Sequence, residues 1–248
     1  MNKIMIACLI GVFSCVVNAK QKHKYRVDNK GRIVIAVIDT GFNSRYEKSV
    51  KICKDGNKSF VNGIKSTEDD HDHGTHIAGL IAKNAKVDYC IMVLKYYSPN
   101  RMHDNTIANS NAAFRWAIDH NVDMINYSAG GISYSELEKA LIVEALDKGI
   151  VIVAAAGNEG KDYKDQPYYP AMYDKRIIVV GNLKKKKDKF VRAPSSNYGE
   201  QVDLQVLGTN IRSVNGVMTG TSQSTAIVTG RMAEHIKGFK AIHKHMRK

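Results

Sequence analysis

Beyond residue 19 the sequence has no apolar stretch long enough to cross a bilayer, so no later segment is expected to insert stably in a membrane. It also lacks an internal repeat, which excludes a solenoid or propeller, and lacks a low-complexity linker that would divide it. The 248 residues hold only four cysteines, too few for a disulfide-stapled miniature fold. Acidic residues are scarce beside basic ones, 24 against 37, which leaves a formal net charge of +13. Yet no aromatic interleaving or helix-turn-helix pattern accompanies the basic residues, so nucleic acid is not an expected partner. The densest basic run, Lys184–Lys187, lies between two apolar segments and reads as a solvated loop, with binding to an anionic surface as the weaker alternative.

The first 19 residues read as a secretory signal peptide: Lys3 supplies a positive start, Ile4 to Phe13 an apolar run, and Ala19 a small residue suited to cleavage. Bulky Phe13 argues against the alternative of a lipid-bearing Cys15. Cleavage leaves residues 20–248, sized for a single α/β domain, in a secreted or periplasmic setting. A monomer is expected. Cys53 and Cys90 are the cysteines that remain, and an exported protein permits one disulfide or two buried thiols.

Strand-like and helix-like segments alternate. Ile33 to Ile38 is a continuous β-branched run, as in a strand covered on both faces. Strands are also expected at Val50–Cys53, Tyr89–Tyr96, Val122–Ser128, Ile150–Ala156 and Arg176–Val180. Helices fit about 73–83 and 105–120, and another is opened by a Ser133–Glu136 capping box and stopped at Gly149. The segment from Ser222 onward reads as a helix with a basic end. This alternation implies a parallel sheet with functional groups beyond its carboxyl edge.

Four segments place chemistry at that edge: Val37-Ile38-Asp39-Thr40-Gly41, His73-Gly74-Thr75-His76, Ala156-Gly157-Asn158 and Gly220-Thr221-Ser222. A serine hydroxyl needs a base to take its proton, and an imidazole base needs a carboxylate to fix its tautomer. The tetrahedral intermediate then needs preformed donors for its oxyanion. Ser222, His73, Asp39 and Asn158 fit these roles in turn, whereas each alone would pass for a cap or turn residue. The set implies nucleophilic acyl transfer. A zinc reading of His71, His73 and His76 is weaker, because the spacing His-Glu-x-x-His is missing and Gly-Thr-Ser would go unexplained. No metal and no cofactor is expected.

The segments Asp39-Thr40-Gly41, His73 to Gly79 and Gly220-Thr221-Ser222, in that order, resemble the three signatures of the subtilisin-like serine peptidases. The likeness extends over residues 33 to 236 and includes Ile125 to Gly131 and Val153 to Asn158. It implies a three-layer α/β fold, a mostly parallel central sheet flanked by helices. It implies an endopeptidase whose polypeptide substrate pairs beside Ser128, Ala129 and Gly130, with Ala155 and Gly157 walling the primary pocket. It also sets the Cys53 and Cys90 segments side by side, implying a disulfide. A catalytically silent peptide binder and an esterase using the same triad are the competing readings.

The chain departs from the family pattern in places. Gln223, Ser224, Thr225 and Ala226 stand where Met-Ala-x-Pro is usual, and the stretch between Ala82 and Tyr89 is too short for a strong calcium loop. Thirteen residues between Ala19 and Ile33 leave no room for a folding prodomain. Tyr168 is expected to narrow the primary pocket, while Glu159 and the cluster Glu68, Asp69, Asp70 and Asp72 would favour basic side chains.

Overall fold

In β1 (Ile33–Asp39) all seven positions are buried, which only a central strand with both faces covered can achieve. The computed structural model describes residues 31–101 and 103–236. The expected signal peptide, Cys8, Cys15 and the basic chain end lie outside the described residues. In chain order β1 is followed by β2 (Lys58–Ser59), α1 (His73–Asn84), β3 (Tyr89–Lys95), α2 (Thr106–Asp119), β4 (Met124–Tyr127), α3 (Glu136–Asp147) and β5 (Val151–Ala155). Then come β6 (Ile178–Lys186), β7 (Lys189–Arg192), β8 (Leu204–Leu207), β9 (Ile211–Ser213), β10 (Gly216–Met218) and α4 (Thr221–Met232).

The main sheet runs β2-β3-β1-β4-β5-β6-β7, with β8 also paired to β6, and only the β6–β7 pair is antiparallel. Side chains alternate across a strand, and the two resulting cores separate cleanly. Val34, Ala36 and Ile38 pack with α2 and α3 residues such as Phe114 and Ile142. Ile33, Ile35 and Val37 pack with Ile77 and Leu80 of α1 and Ala226 and Ile227 of α4. The result is the expected three-layer α/β architecture, with the sheet between two helix pairs.

Three local expectations are corrected. Val50–Cys53 is not a strand: only Ile52 bridges to Ile91. The Asn57 side chain takes part of its pairing role, accepting from the Val93 N–H at 2.9 Å and donating to the Cys53 carbonyl at 2.7 Å. The Lys run is not a loop: Lys184–Lys186 end β6 and the chain reverses at Lys187, because a solvent-facing ribbon accommodates lysine. The cap of α3 is Ser135 rather than Ser133, accepting from the Glu138 N–H at 3.2 Å. Its reciprocal arm runs through Tyr173, whose hydroxyl accepts from the Ser135 N–H at 2.9 Å and donates to Glu138 at 3.0 Å.

Cys53 and Cys90 form a disulfide across 37 positions of sequence, joining the segment before β2 to β3. Among the described residues no helix is long and apolar enough to cross a membrane.

Candidate active site

Strand register sets the site's geometry. Val37 of β1 is level with Asn126 of β4, and two residues further along each chain, at the carboxyl edge, stand Asp39 and Ser128. Adjacent strands lie ~4.8 Å apart. Each of these residues holds one further member of the set. Asp39 Oδ1 accepts from His73 Nδ1 at 2.8 Å, and the Ser128 carbonyl accepts from the Ser222 hydroxyl at 3.0 Å. The Ser128 hydroxyl donates in turn to the Ser222 carbonyl at 3.2 Å. Two residues 94 apart in sequence are thereby bolted together. Asn126 braces the bolt, donating to Ser128 Oγ at 3.0 Å and accepting from Thr229 Oγ1 at 2.9 Å.

His73 opens α1. The helix can approach the end of β1 because position 74 is glycine: a Cβ there would lie 2.3 Å from the Gly41 carbonyl oxygen. Asp72, at the cap position, makes no side-chain cap bond. Asp69 does that work from three residues earlier. Its Oδ2 accepts from the Thr75 N–H at 2.8 Å and the Thr75 hydroxyl at 2.6 Å. Its Oδ1 accepts from the Thr40 hydroxyl at 2.8 Å, and that hydroxyl accepts from the Gly74 N–H at 2.9 Å. Strand end and helix start are thus tied through one carboxylate.

Asp39 Oδ1 also accepts from the Thr40 N–H at 2.8 Å. The carboxylate is acceptor-only, so His73 must place its proton on Nδ1, leaving Nε2 as the basic nitrogen of the neutral ring. Burial opposes charging this ring, but the Asp39 carboxylate, with Asp69 adding to it, raises the His73 pKa above its ordinary value. The Ser222 hydroxyl, bonded to Ser128, makes no hydrogen bond to His73 among the described residues. His71, His73 and His76 do not share a site. His73 turns to Asp39, His76 Nε2 donates to the Ile211 carbonyl at 3.2 Å, and His71 meets His73 and Tyr97 edge-on.

Asn158 follows β5 and is exposed. Its Oδ1 accepts from the Thr221 N–H at 3.0 Å and the Thr221 hydroxyl at 3.2 Å. An N–H can only donate, so this fixes the amide's orientation and leaves its NH₂ free to face an anion. The Gly157 N–H donates to the same Thr221 hydroxyl at 3.2 Å. Ser128, Ala155 and Gly157 are buried at the edge, Ala129 is half-buried and Gly130 exposed. Tyr168 lies between the two glycines, since a Cβ would come within 2.5 Å of its ring from Gly130 and 2.8 Å from Gly157. Glu159 accepts from Asn197 at 2.7 Å.

Two of the four residues of the expected acidic cluster are engaged within the fold, while Glu68 and Asp72 are exposed. Asp69 is consumed by Thr40 and Thr75, and Asp70 by buried Lys95 at 2.6 Å. Sequence reasoning also missed Thr221 and the positioning role of Asp69. A Thr beside the serine was visible in the motif, but its partners lie 63 or more residues away.

The family model described as "Subtilase family" matches residues 30–248. The chain belongs to the subtilase family. Among similar proteins, the thermostable alkaline protease of Halalkalibacterium halodurans is 29% identical over 239 residues, covering 92% of this chain and 61% of that protein. Subtilisin DY of Bacillus licheniformis is 31% identical over 223 residues, covering 85% of this chain and 76% of its own. Of subtilisin amylosacchariticus, 33% identical, the alignment covers 54%, so the chain spans little more than half the length of some curated relatives. A solved structure of a cold-adapted subtilisin-like serine proteinase superposes with a TM-score of 0.68 at 26% identity, covering 86% of this chain and 78% of that one.

Proposed function

We propose that this subtilase is an exported serine endopeptidase, with residues 1–19 as signal peptide and 20–248 as one peptidase domain, acting as a secreted or periplasmic monomer. The observation that carries the reading is the pairing of His73 with Asp39 beside the pairing of Ser222 with Ser128, on neighbouring strand ends. In the reaction the Ser222 hydroxyl leaves the Ser128 carbonyl and turns to His73 Nε2, which takes its proton as Oγ attacks the scissile carbonyl. Asp39 holds the resulting imidazolium. The Asn158 NH₂ donates to the oxyanion. His73 then protonates the leaving amine, and water activated by the same ring hydrolyses the acyl-enzyme. Substrate backbone pairs beside Ser128, Ala129 and Gly130 as an added strand, with Ala155 and Gly157 lining the primary pocket and Tyr168 narrowing it.

One observation favours a silent peptide binder: the Ser222 hydroxyl is engaged by Ser128 and not by His73. A fluorophosphonate probe and a casein-like substrate separate the two, using wild type and Ser222→Ala. Wild-type labelling and cleavage, both lost in the variant, are expected. Equal cleavage by both proteins, or labelling of neither, would overturn the peptidase reading.

A further inference from the structure

Strands β6 and β7 leave the body of the sheet together. Val180 of β6 is level with Ala155, the last residue of β5, so residues 181–186 run on past the carboxyl edge that carries Asp39 and Ser128. At about 3.4 Å per residue they reach roughly 20 Å beyond Val180. β8 accompanies them as far as Leu183. From there residues 184–186 pair with β7 alone among the described residues, and the chain turns at Lys187 and Asp188. The nine positions 184–192 hold six basic residues and one acidic, the strongest concentration of the chain's positive charge.

Folding does not account for this composition. Lys186 stands directly opposite Lys189, and like charges in that relation destabilise a ribbon. Among the described residues none of Lys184, Lys185, Lys186, Lys187 and Lys189 has an ion pair, and all but half-buried Lys184 are exposed. Phe190, opposite Lys185, is 59% exposed, so an aromatic ring stands in water among ammonium groups. Arg192 differs: its Nη1 donates to the Ser196 carbonyl at 2.7 Å and its guanidinium lies over the Tyr198 ring, 4.2 Å from the centroid. The unengaged cations are therefore all lysines.

Side chains alternate across a strand, so Lys184, Lys186 and Lys189 share one face while Lys185 and Phe190 share the other. Cations thus surround the ribbon's end on both sides. An anionic layer would offset the Lys186–Lys189 repulsion, and one with an apolar interior beneath its charge would also take up Phe190. A phospholipid bilayer offers both, and lysines beside an exposed aromatic are the pattern that such an interface holds. Nucleic acid offers phosphates without an apolar layer, and its recognition favours the forked guanidinium over the point charge of lysine.

We propose that the β6–β7 ribbon is a docking surface for an anionic phospholipid bilayer, which holds the protein peripherally with the edge bearing Asp39 and Ser128 toward the lipid. The contact needs no segment to cross the bilayer, and it does not depend on the peptidase reading.

The test is co-sedimentation of the full chain, as Ser222→Ala to prevent self-cleavage, with vesicles of phosphatidylcholine alone or of an equal mixture with phosphatidylglycerol. The readout is the ratio of the two partition coefficients, which cancels any contribution from the apolar residues 4–13. Each lysine near an anionic surface contributes on the order of five-fold, so the ratio should be about thirty-fold or more and should shrink as salt rises. Glutamine at the five ribbon lysines (K184Q, K185Q, K186Q, K187Q, K189Q) should lower it about ten-fold or more. Glutamine at five exposed lysines elsewhere, Lys48, Lys54, Lys65, Lys83 and Lys86, should lower it far less. Should the ribbon variant not fold, Lys186→Glu decides: it sets opposite charges at the facing positions, which favours the ribbon, and should still lower the ratio about ten-fold. Phe190→Ser should weaken binding to the mixed vesicles several-fold without changing the salt dependence. No preference for the anionic vesicles, equal losses from the two lysine sets, a ratio that survives Lys186→Glu, or unchanged binding by Phe190→Ser would overturn the proposal. So would tighter binding to a DNA duplex than to the mixed vesicles at matched phosphate, which would make nucleic acid the ribbon's partner.

Discussion

Asp69 closes on Thr75 twice, through the backbone N–H at 2.8 Å and the hydroxyl at 2.6 Å, and so fixes the first turn of the helix that His73 opens. The same carboxylate contributes to the raised His73 pKa, behind the larger effects of burial and of Asp39. If His73 is the base of the proposed mechanism, only its neutral ring can accept the serine proton, and activity should rise as His73 loses its own. Asp69→Asn removes one negative charge and should move the acid limb of the kcat/KM profile to lower pH, while plateau turnover falls because an NH₂ now faces donors. An unmoved acid limb would show that Asp69 has no electrostatic part.

Asp69 should also shape acid stability. Hydrogen bonds from Thr75, His71 and Thr40 outweigh burial and hold its pKa below 3.8. A depressed carboxylate contributes stability that is fully present above the unfolded pKa and lost as pH falls through the folded one. Wild type should therefore lose stability relative to Asp69→Asn below about pH 4, and the gap between their denaturant midpoints should narrow on acidification. A constant gap from pH 7 to pH 3 contradicts this.

Asn158→Ala should lower kcat by about 10²–10³ with little change in KM, a figure that belongs to the oxyanion amide of subtilisin and is carried over to this chain. The change also takes the acceptor from the buried Thr221 N–H, so a stability loss of about 1–3 kcal/mol should accompany it, and turnover is to be compared where the variant is fully folded. A variant with wild-type turnover would remove Asn158 from the site.

The buried strands could be read locally, because β1 carries its burial in its composition, and Asp39, His73 and Ser222 lie at element boundaries as expected. What escaped depends on distant partners. The Ser133–Glu136 pattern reads as the cap of α3, but the Tyr173 hydroxyl, 38 residues on from Ser135, helps to place it at Ser135. β8, β9 and β10 are short and mostly half-exposed or exposed, so no apolar run announces them. Ile52 and Cys53 have the composition of a strand, but an Asn57 side chain occupies Val93's backbone donor.

Thr221 is buried and serves two partners with one hydroxyl, accepting from the Gly157 N–H at 3.2 Å and reaching Asn158 Oδ1 at 3.2 Å. Thr221→Val keeps shape and removes that hydroxyl. It should cost about 1–3 kcal/mol for the orphaned amide. It should also lower kcat, though less than Asn158→Ala, because the Thr221 N–H still holds the amide at 3.0 Å. Unchanged kcat alongside the stability loss would confine Thr221 to a structural role.

The Cys53–Cys90 link closes a loop spanning 37 positions. Chain-entropy reasoning assigns such a loop about 3–4 kcal/mol through its restriction of the unfolded chain, or roughly 6–16 °C in Tm for a chain of this size. Both cysteines are buried, so reduction should require partial unfolding or a denaturant. Mass spectrometry should find the oxidised protein about 2 Da lighter than the reduced one, the two hydrogens lost when the bond forms. The double variant Cys53→Ala, Cys90→Ala should melt lower by the same margin as reduced wild type. The triad should stay active at 25 °C, since the link constrains β3's outer flank and not the edge that carries Asp39 and Ser128. Equal melting temperatures with and without reductant, in protein whose mass shows the bond intact beforehand, would remove any stabilising role for the link.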